Sequence, residues 1–224
     1  MSATGTVTRL AVRELWISFR LLALLAAYVG VGAVVALMPA TSSTTLARLA
    51  VGLAAAMIVG AGIAADALST ERRLGRAGWL VTRSVTRGTV VMGWFVALSG
   101  ISFAGLVATA VLGWLAASPL PPTPFVAIFA GVASMSLAAI AIGLLIGSLL
   151  DPLPAMVAAV AVGLLAAAVA LYFLPAAVVP LSALAELDTL ERPVAAGVQG
   201  AGIGLAITAA ALVAARMALG RVDL

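Results

Sequence analysis

Six long apolar runs, none interrupted by a charged side chain, decide most of what this chain can become. They are Leu21 to Met38, Leu49 to Ala65, Val90 to Ala117, Phe125 to Leu150, Leu153 to Leu174 and Val194 to Ala215. Each is near the ~17–25 residues that cross a hydrocarbon core, and the third and fourth have length left for tilt. None alternates apolar and polar residues as a barrel strand does. In lipid the backbone must then satisfy itself inside helices. Composition agrees: the chain is 64% hydrophobic and 9% charged, against about a quarter charged in a soluble domain. The expected fold is all-α, a polytopic membrane helix bundle of six transmembrane helices forming a single domain over residues 1–224. Six spans and their connections nearly fill that length, so a soluble domain of ~100 residues, including any ATPase, is expected on another polypeptide.

The net charge is +4 and every basic residue is Arg. In this setting the arginines report topology, and nucleic acid is not an expected partner. One side collects Arg9, Arg13, Arg20, Arg72, Arg73, Arg76, Arg83, Arg87, Arg216 and Arg221; the other holds only Arg48 and Arg192. The positive-inside rule then places both termini in the cytoplasm. The Ala, Val and Arg bias suits a bacterial, multi-pass protein of the inner (plasma) membrane. There is no Cys and no His. That excludes disulfides, zinc sites, haem ligation through His or Cys, and Cys or His catalysis within this chain. The N-terminal stretch lacks the short apolar core and cleavage site of a secretory signal.

Residues 7–20 predict an amphipathic helix on the cytoplasmic surface. Arg9, Arg13 and Arg20 fall on one line, Val12, Leu15 and Phe19 fall opposite, and Trp16 sits near the Arg line at the expected headgroup level. On the far side, residues 39–48 and 118–124 read as short connections. Between Pro175 and Pro193, Leu181, Leu184, Leu187 and Leu190 recur every three residues, with Glu186, Asp188, Glu191 and Arg192 between and after them. This predicts a short amphipathic helix over 176–193, lying in the outer interface or dipping back into it. Asp151-Pro152 is a tight internal turn. Small-residue pairs at Gly60/Ala64, Gly143/Gly147 and Gly200/Gly204 have the spacing of close helix packing, but an Ala- and Gly-rich chain produces such pairs by chance.

The most informative segment is Asp66 to Gly93. It is the longest connection on the Arg-rich side and holds five of the twelve arginines, whereas a chain reversal needs about 4–6 residues. Ser69 or Thr70 is placed to cap a helix beginning near Glu71. A short cytoplasmic helix with an apolar Trp79-Leu80-Val81 edge and arginines around it suits a groove on a soluble partner. The alternative is a solvated basic loop beside lipid. Asp66 itself reads as a local partner for the Arg cluster.

The run 71–87, ERRLGRAGWLVTRSVTR, resembles the cytoplasmic signature of type-2 class ATP-binding cassette exporter permeases. Glu71, Arg72 and Gly75 fit its E-R-x-x-G opening, Leu80 and Val81 its leucine-rich middle, and Val85, Thr86 and Arg87 its close. Gly93 fits a following glycine. Arg76, Ser84 and Trp94 depart from the usual Thr, Pro and Lys. The run 141–165, the N-terminal amphipathic helix, the six spans and the short helix before the last span are also similar to that family.

The resemblance implies a pair of permease chains, identical or not, above a dimer of cytoplasmic cassette ATPases. No cofactor is expected on this chain; ATP and Mg would belong to the ATPases. It further implies a coupling helix within 69–89 seated on the ATPase, with Glu71, Arg72, Arg73, Gly75, Arg76, Leu80, Val85 and Arg87 as coupling residues. Arg72 and Arg87 would make charge-assisted contacts, Leu80 would fill a pocket and Gly75 would permit a turn or close approach. Arg9, Arg13, Trp16 and Arg20 would form the elbow helix that also meets the ATPase.

No charge lies deep in a span, which argues against a proton path and favours a hydrophobic or amphipathic substrate. Of the interior hydroxyls, Ser99, Ser102 and Thr109 are candidates for the path. Such groups more often bond their own or a neighbouring helix. The competing readings are a six-span substrate-binding subunit of a vitamin importer, which predicts a polar pocket near the outer face, and a haem or cytochrome-assembly permease. An intramembrane enzyme lacks the required constellation of groups.

Overall fold

The computed structural model describes residues 2–38, 41–75, 85–117, 121–174 and 179–221. Within them the chain forms α1 (Ala3–Ile17), α2 (Arg20–Leu37), α3 (Ser42–Arg73), α4 (Arg87–Ala116), α5 (Pro122–Leu149), α6 (Pro152–Tyr172), α7 (Pro180–Ala185) and α8 (Pro193–Arg221). Helix starts follow local chemistry. The hydroxyls of Ser2, Thr41 and Thr86 accept from the backbone N–H three residues on, satisfying donors that a first turn leaves open. Helices α5, α6, α7 and α8 each begin with proline, whose missing N–H costs nothing there.

Six of these helices (α2, α3, α4, α5, α6 and α8) are long and apolar enough to cross a membrane. The chain is a polytopic helix bundle, as its apolar runs require. The second span differs most from expectation. It covers 32 residues, Ser42–Arg73, because its Ser/Thr start and its Asp66–Arg73 end continue the helix beyond the apolar stretch.

Helices α3 and α5 form the centre, each with 56% of its apolar window buried, while α6 has 11%. Helix α8 packs along α5, α2 along α4, α1 across α4, and α6 on α3. Small residues set the central spacing. Gly143 and Gly147 lie directly on the backbone carbonyls of Ala61 and Ala65, so that a Cβ at either glycine would overlap α3. On the other side of α5, Gly197 lies against the Ala127 backbone and Gly204 against Ser134. Ser134 Oγ donates to the carbonyls of Gly131 (2.7 Å) and Gly200 (3.2 Å). Close backbone approach of this kind gives helices in lipid their packing energy. The pairs at 143/147 and 200/204 are therefore contact sites and not accidents of composition.

The segment before the last span is a correction. The helix is only Pro180–Ala185, and residues 175–178 lie outside the described residues. Leu181, Leu184 and Leu187 are buried, the helix packing against α3, α5 and α8, with Pro180 wedged over Gly131 and Gly200. The sequence pattern places this helix against the outer interface; in the structure its apolar face is turned to the bundle. The leucines at every third position find protein, while Glu186, Asp188 and Glu191 stay exposed.

Candidate functional site

Helix α3 carries the chain from Asp66 for about two more turns before it stops. Ser69 and Thr70 cap no new helix at Glu71; they sit inside α3, with Ser69 Oγ donating to the Asp66 carbonyl at 3.0 Å and Thr70 Oγ1 to Asp66 Oδ1 at 3.4 Å. The stop is Gly75, at φ +68°. Leu74 N–H donates to the Thr70 carbonyl at 3.0 Å and Gly75 N–H to the Arg72 carbonyl at 2.9 Å, the pattern of a left-handed glycine closing a helix. A side chain at Gly75 would meet open space, so its requirement is conformational. Gly75→Ala is expected to lower stability by about 1 kcal/mol, read as a lower thermal midpoint of the detergent-solubilised chain.

The chain resumes at Val85, half-buried against the core, and Thr86 caps α4. Arg76 and Leu80, with the rest of 76–84, lie outside the described residues. The flanking arginines have acceptors within the chain. Arg72 Nη1 donates to the Gly147 carbonyl at 3.1 Å, and Arg87 Nη1 to the Leu219 carbonyl at 2.9 Å. Both acceptors are in the last turns of α5 and α8, where carbonyls lack helical partners and the helix dipole favours a cation. Contacts to the ATPase were expected of these two residues; the bonds just given run to the ends of the chain's own helices. Glu71 is buried at 8% exposure. Arg73, Leu74 and Gly75 are exposed.

The elbow is built differently from its sequence reading. Helix α1 ends at Ile17, and Phe19 takes a left-handed φ of 59° as α2 begins. Arg20 therefore leaves the line of Arg9 and Arg13 and starts α2. The face of α1 turned inward is Val7, Ala11 and Leu15, whereas Val12 and Phe19 are exposed. The helix breaks before Phe19, so the spacing that joined Phe19 to Leu15 no longer applies. Arg9 and Arg13 are exposed, and Trp16 is 62% exposed, the placement expected of an interfacial indole.

Two contacts tie residues 7–20 to the segment Asp66 to Gly93. Val7 of α1 sits over Gly93 of α4, where any Cβ would overlap it. Arg20 Nη2 pairs with Asp66 Oδ2 at 2.6 Å, both side chains about three-quarters buried (21% and 26% exposed). Asp66 was expected to pair with the Arg cluster beside it in sequence. Its partner is Arg20, and the pair fastens the start of α2 to α3. Sequence reasoning missed both contacts, although Gly93 was itself a signal that something approaches α4 closely.

The interior hydroxyls divide. Thr109 Oγ1 lies 2.6 Å from the Tyr28 carbonyl and 2.9 Å from that of Gly105, so it joins α2 to α4. Tyr28 Oη meets Ser136 Oγ at 2.5 Å, joining α2 to α5. The buried hydroxyl of Ser99 meets no hydrogen-bond partner among the described residues, and that of Ser102 lies beside the Tyr28 hydroxyl. Elsewhere, a cavity of about 330 Å³ opens between α3, α5 and α6, closed at one end by Val179 and Leu181. Among the described residues every one that lines it is apolar, including Met57, Met135 and Gly163. Among the described residues no group of three or more His, Cys, Asp or Glu side chains could hold a metal.

No protein-family model matches the chain, and no curated protein matches it.

Proposed function

We propose that this chain is the membrane-spanning permease subunit of an ATP-driven exporter. It pairs with a second permease chain, the same or different, in the inner (plasma) membrane of a bacterium. It takes force from a cytoplasmic dimer of cassette ATPases, which bind the ATP and Mg. The observation that carries this reading is the bonding at the Arg-rich end. Arg20–Asp66, Arg72 to the end of α5, Arg87 to the end of α8, and Val7 on Gly93 join the elbow and five spans around the connection 74–86. A push on that connection has a direct mechanical route into α3, α4, α5 and α8. A hydrogen-bonded rim of this kind is more than a chain reversal requires.

The division of labour within the coupling segment follows from exposure. Arg73 and Leu74 face outward and would meet the ATPase; Arg72 and Arg87 pass the displacement to α5 and α8. A hydrophobic or amphipathic cargo fits the uncharged spans and the apolar cavity beside α6. A vitamin-importer subunit would want a polar pocket near the outer face; among the described residues the groove on the Arg-poor side is apolar except for Thr44 and Arg48.

The test is co-expression with a candidate cassette ATPase and purification of the assembly. Arg73→Glu with Leu74→Asp is expected to weaken association by roughly tenfold or more and to abolish the permease's effect on ATP turnover, with the thermal midpoint of the chain alone unchanged. Full assembly and unaltered turnover in this variant would remove the proposal's main support.

A further inference from the structure

Arg48 is one of only two arginines on the Arg-poor side, and nothing in the proposed coupling uses it. It lies at the mouth of a groove of about 770 Å³ between α2 and α3. Gly30 and Val34 of α2 and Ala47 and Val51 of α3 form its walls. Apart from Arg48 and Thr44, every lining residue is apolar, and none is a carboxylate. Arg48 Nη1 donates to the Met38 carbonyl at 3.2 Å. That bond holds the guanidinium across the end of the groove and engages one of its five donors.

The groove is continuous with the surface that the bundle presents to lipid. Val34 is 53% and Val51 58% exposed, and Leu37 and Met38 beyond them are also exposed. An apolar trough running along a span, ending under a cation at the membrane surface, is complementary to one amphiphile. An acyl chain fills the trough and an anionic phosphate meets the guanidinium. A zwitterionic headgroup brings its own cation, for which the lining supplies no counter-charge. We infer that the α2–α3 groove binds an anionic phospholipid from the leaflet on the Arg-poor side, with Arg48 as its headgroup ligand. This site is independent of the ATPase and of the exporter reading.

The experiment uses the purified full chain alone in phosphatidylcholine vesicles. These carry a trace of either phosphatidylglycerol or phosphatidylcholine with a photoactivatable group on the acyl chain, and adducts are mapped by mass spectrometry. The phosphatidylglycerol probe is expected to label residues 26–52 more than the phosphatidylcholine probe does. Arg48→Gln is expected to reduce that labelling roughly fivefold, while labelling near the Arg-rich end stays as it was. Gly30→Leu, at a position where a side chain has no neighbour within 4 Å, is expected to fill the groove and reduce labelling by both probes. Equal labelling by the two probes, or labelling indifferent to Arg48→Gln, would overturn the site and leave an ordinary lipid-facing groove. An unlabelled groove in a cross-linkable dimer would overturn it in favour of a second copy. If Gly30→Leu fails to fold, the headgroup comparison and Arg48→Gln still decide.

Discussion

Replacing Gly143 and Gly147 together by alanine is expected to cost about 3 kcal/mol of stability. The same change at Gly100 is expected to gain about 0.5–1 kcal/mol. All three glycines are inside helices, where alanine is the better helix former, so propensity alone predicts a gain everywhere. The difference is what the new methyl meets. At Gly100 it meets nothing within 4 Å; at Gly143 and Gly147 it meets the carbonyls of Ala61 and Ala65. A backbone carbonyl cannot rotate aside as a flexible side chain does, so α3 and α5 must separate along their length. The cavity beside them, the α6 contact and the seat of Arg72 on the Gly147 carbonyl all depend on that spacing. Thermal midpoints of the two purified variants in one detergent test this directly. Shifts of one sign in both would show that helix propensity governs, and not contact.

The second large effect is expected at the Arg20–Asp66 pair. Arg20→Glu sets two carboxylates at a spacing now held by an ion pair, away from most of the solvent. Asp66→Arg does the same with two guanidinium groups. Each single reversal is expected to cost about 2–4 kcal/mol and to loosen the elbow from α3. The swapped double variant, Arg20→Glu with Asp66→Arg, is expected to recover a large part of that loss, with a coupling energy of about 1–3 kcal/mol. Protease accessibility of α1 gives a local readout beside the thermal midpoint. Additive losses would mean that the two side chains act separately, and the elbow would then be held by its buried face of Val7, Ala11 and Leu15.

The spans were legible because hydropathy reports the solvent, and the solvent here is lipid. The end of α3 was only half legible. Gly75 indicated only a turn or close approach, and Ser69 and Thr70 carried a capping signal that the continuing helix overrode. An uncharged apolar run followed by a charged stretch looks like a span and a loop, although the backbone passes from one to the other without a break. The acceptors of Arg72 and Arg87 were illegible for a different reason. They are backbone carbonyls 75 and 132 residues away, and a carbonyl leaves no mark in the sequence. Arg20–Asp66 needed the elbow's bend to be known, and nothing about Phe19 as a residue type favours a positive φ. For Leu181, Leu184 and Leu187 the spacing showed one apolar face, but not whether lipid or protein would cover it.

Helix α6 meets the bundle chiefly through alanines, Ala155 and Ala159 resting on Ala61 and Ala65. Methyl groups give little dispersion energy per contact, so this seam holds its helix by shape more than by strength. In a bilayer thicker or thinner than the bundle prefers, the strain of mismatch relaxes where the seam is weakest. The slant of α6 is therefore expected to follow the thickness of the surrounding membrane, while the glycine-locked α3–α5–α8 slab keeps its own.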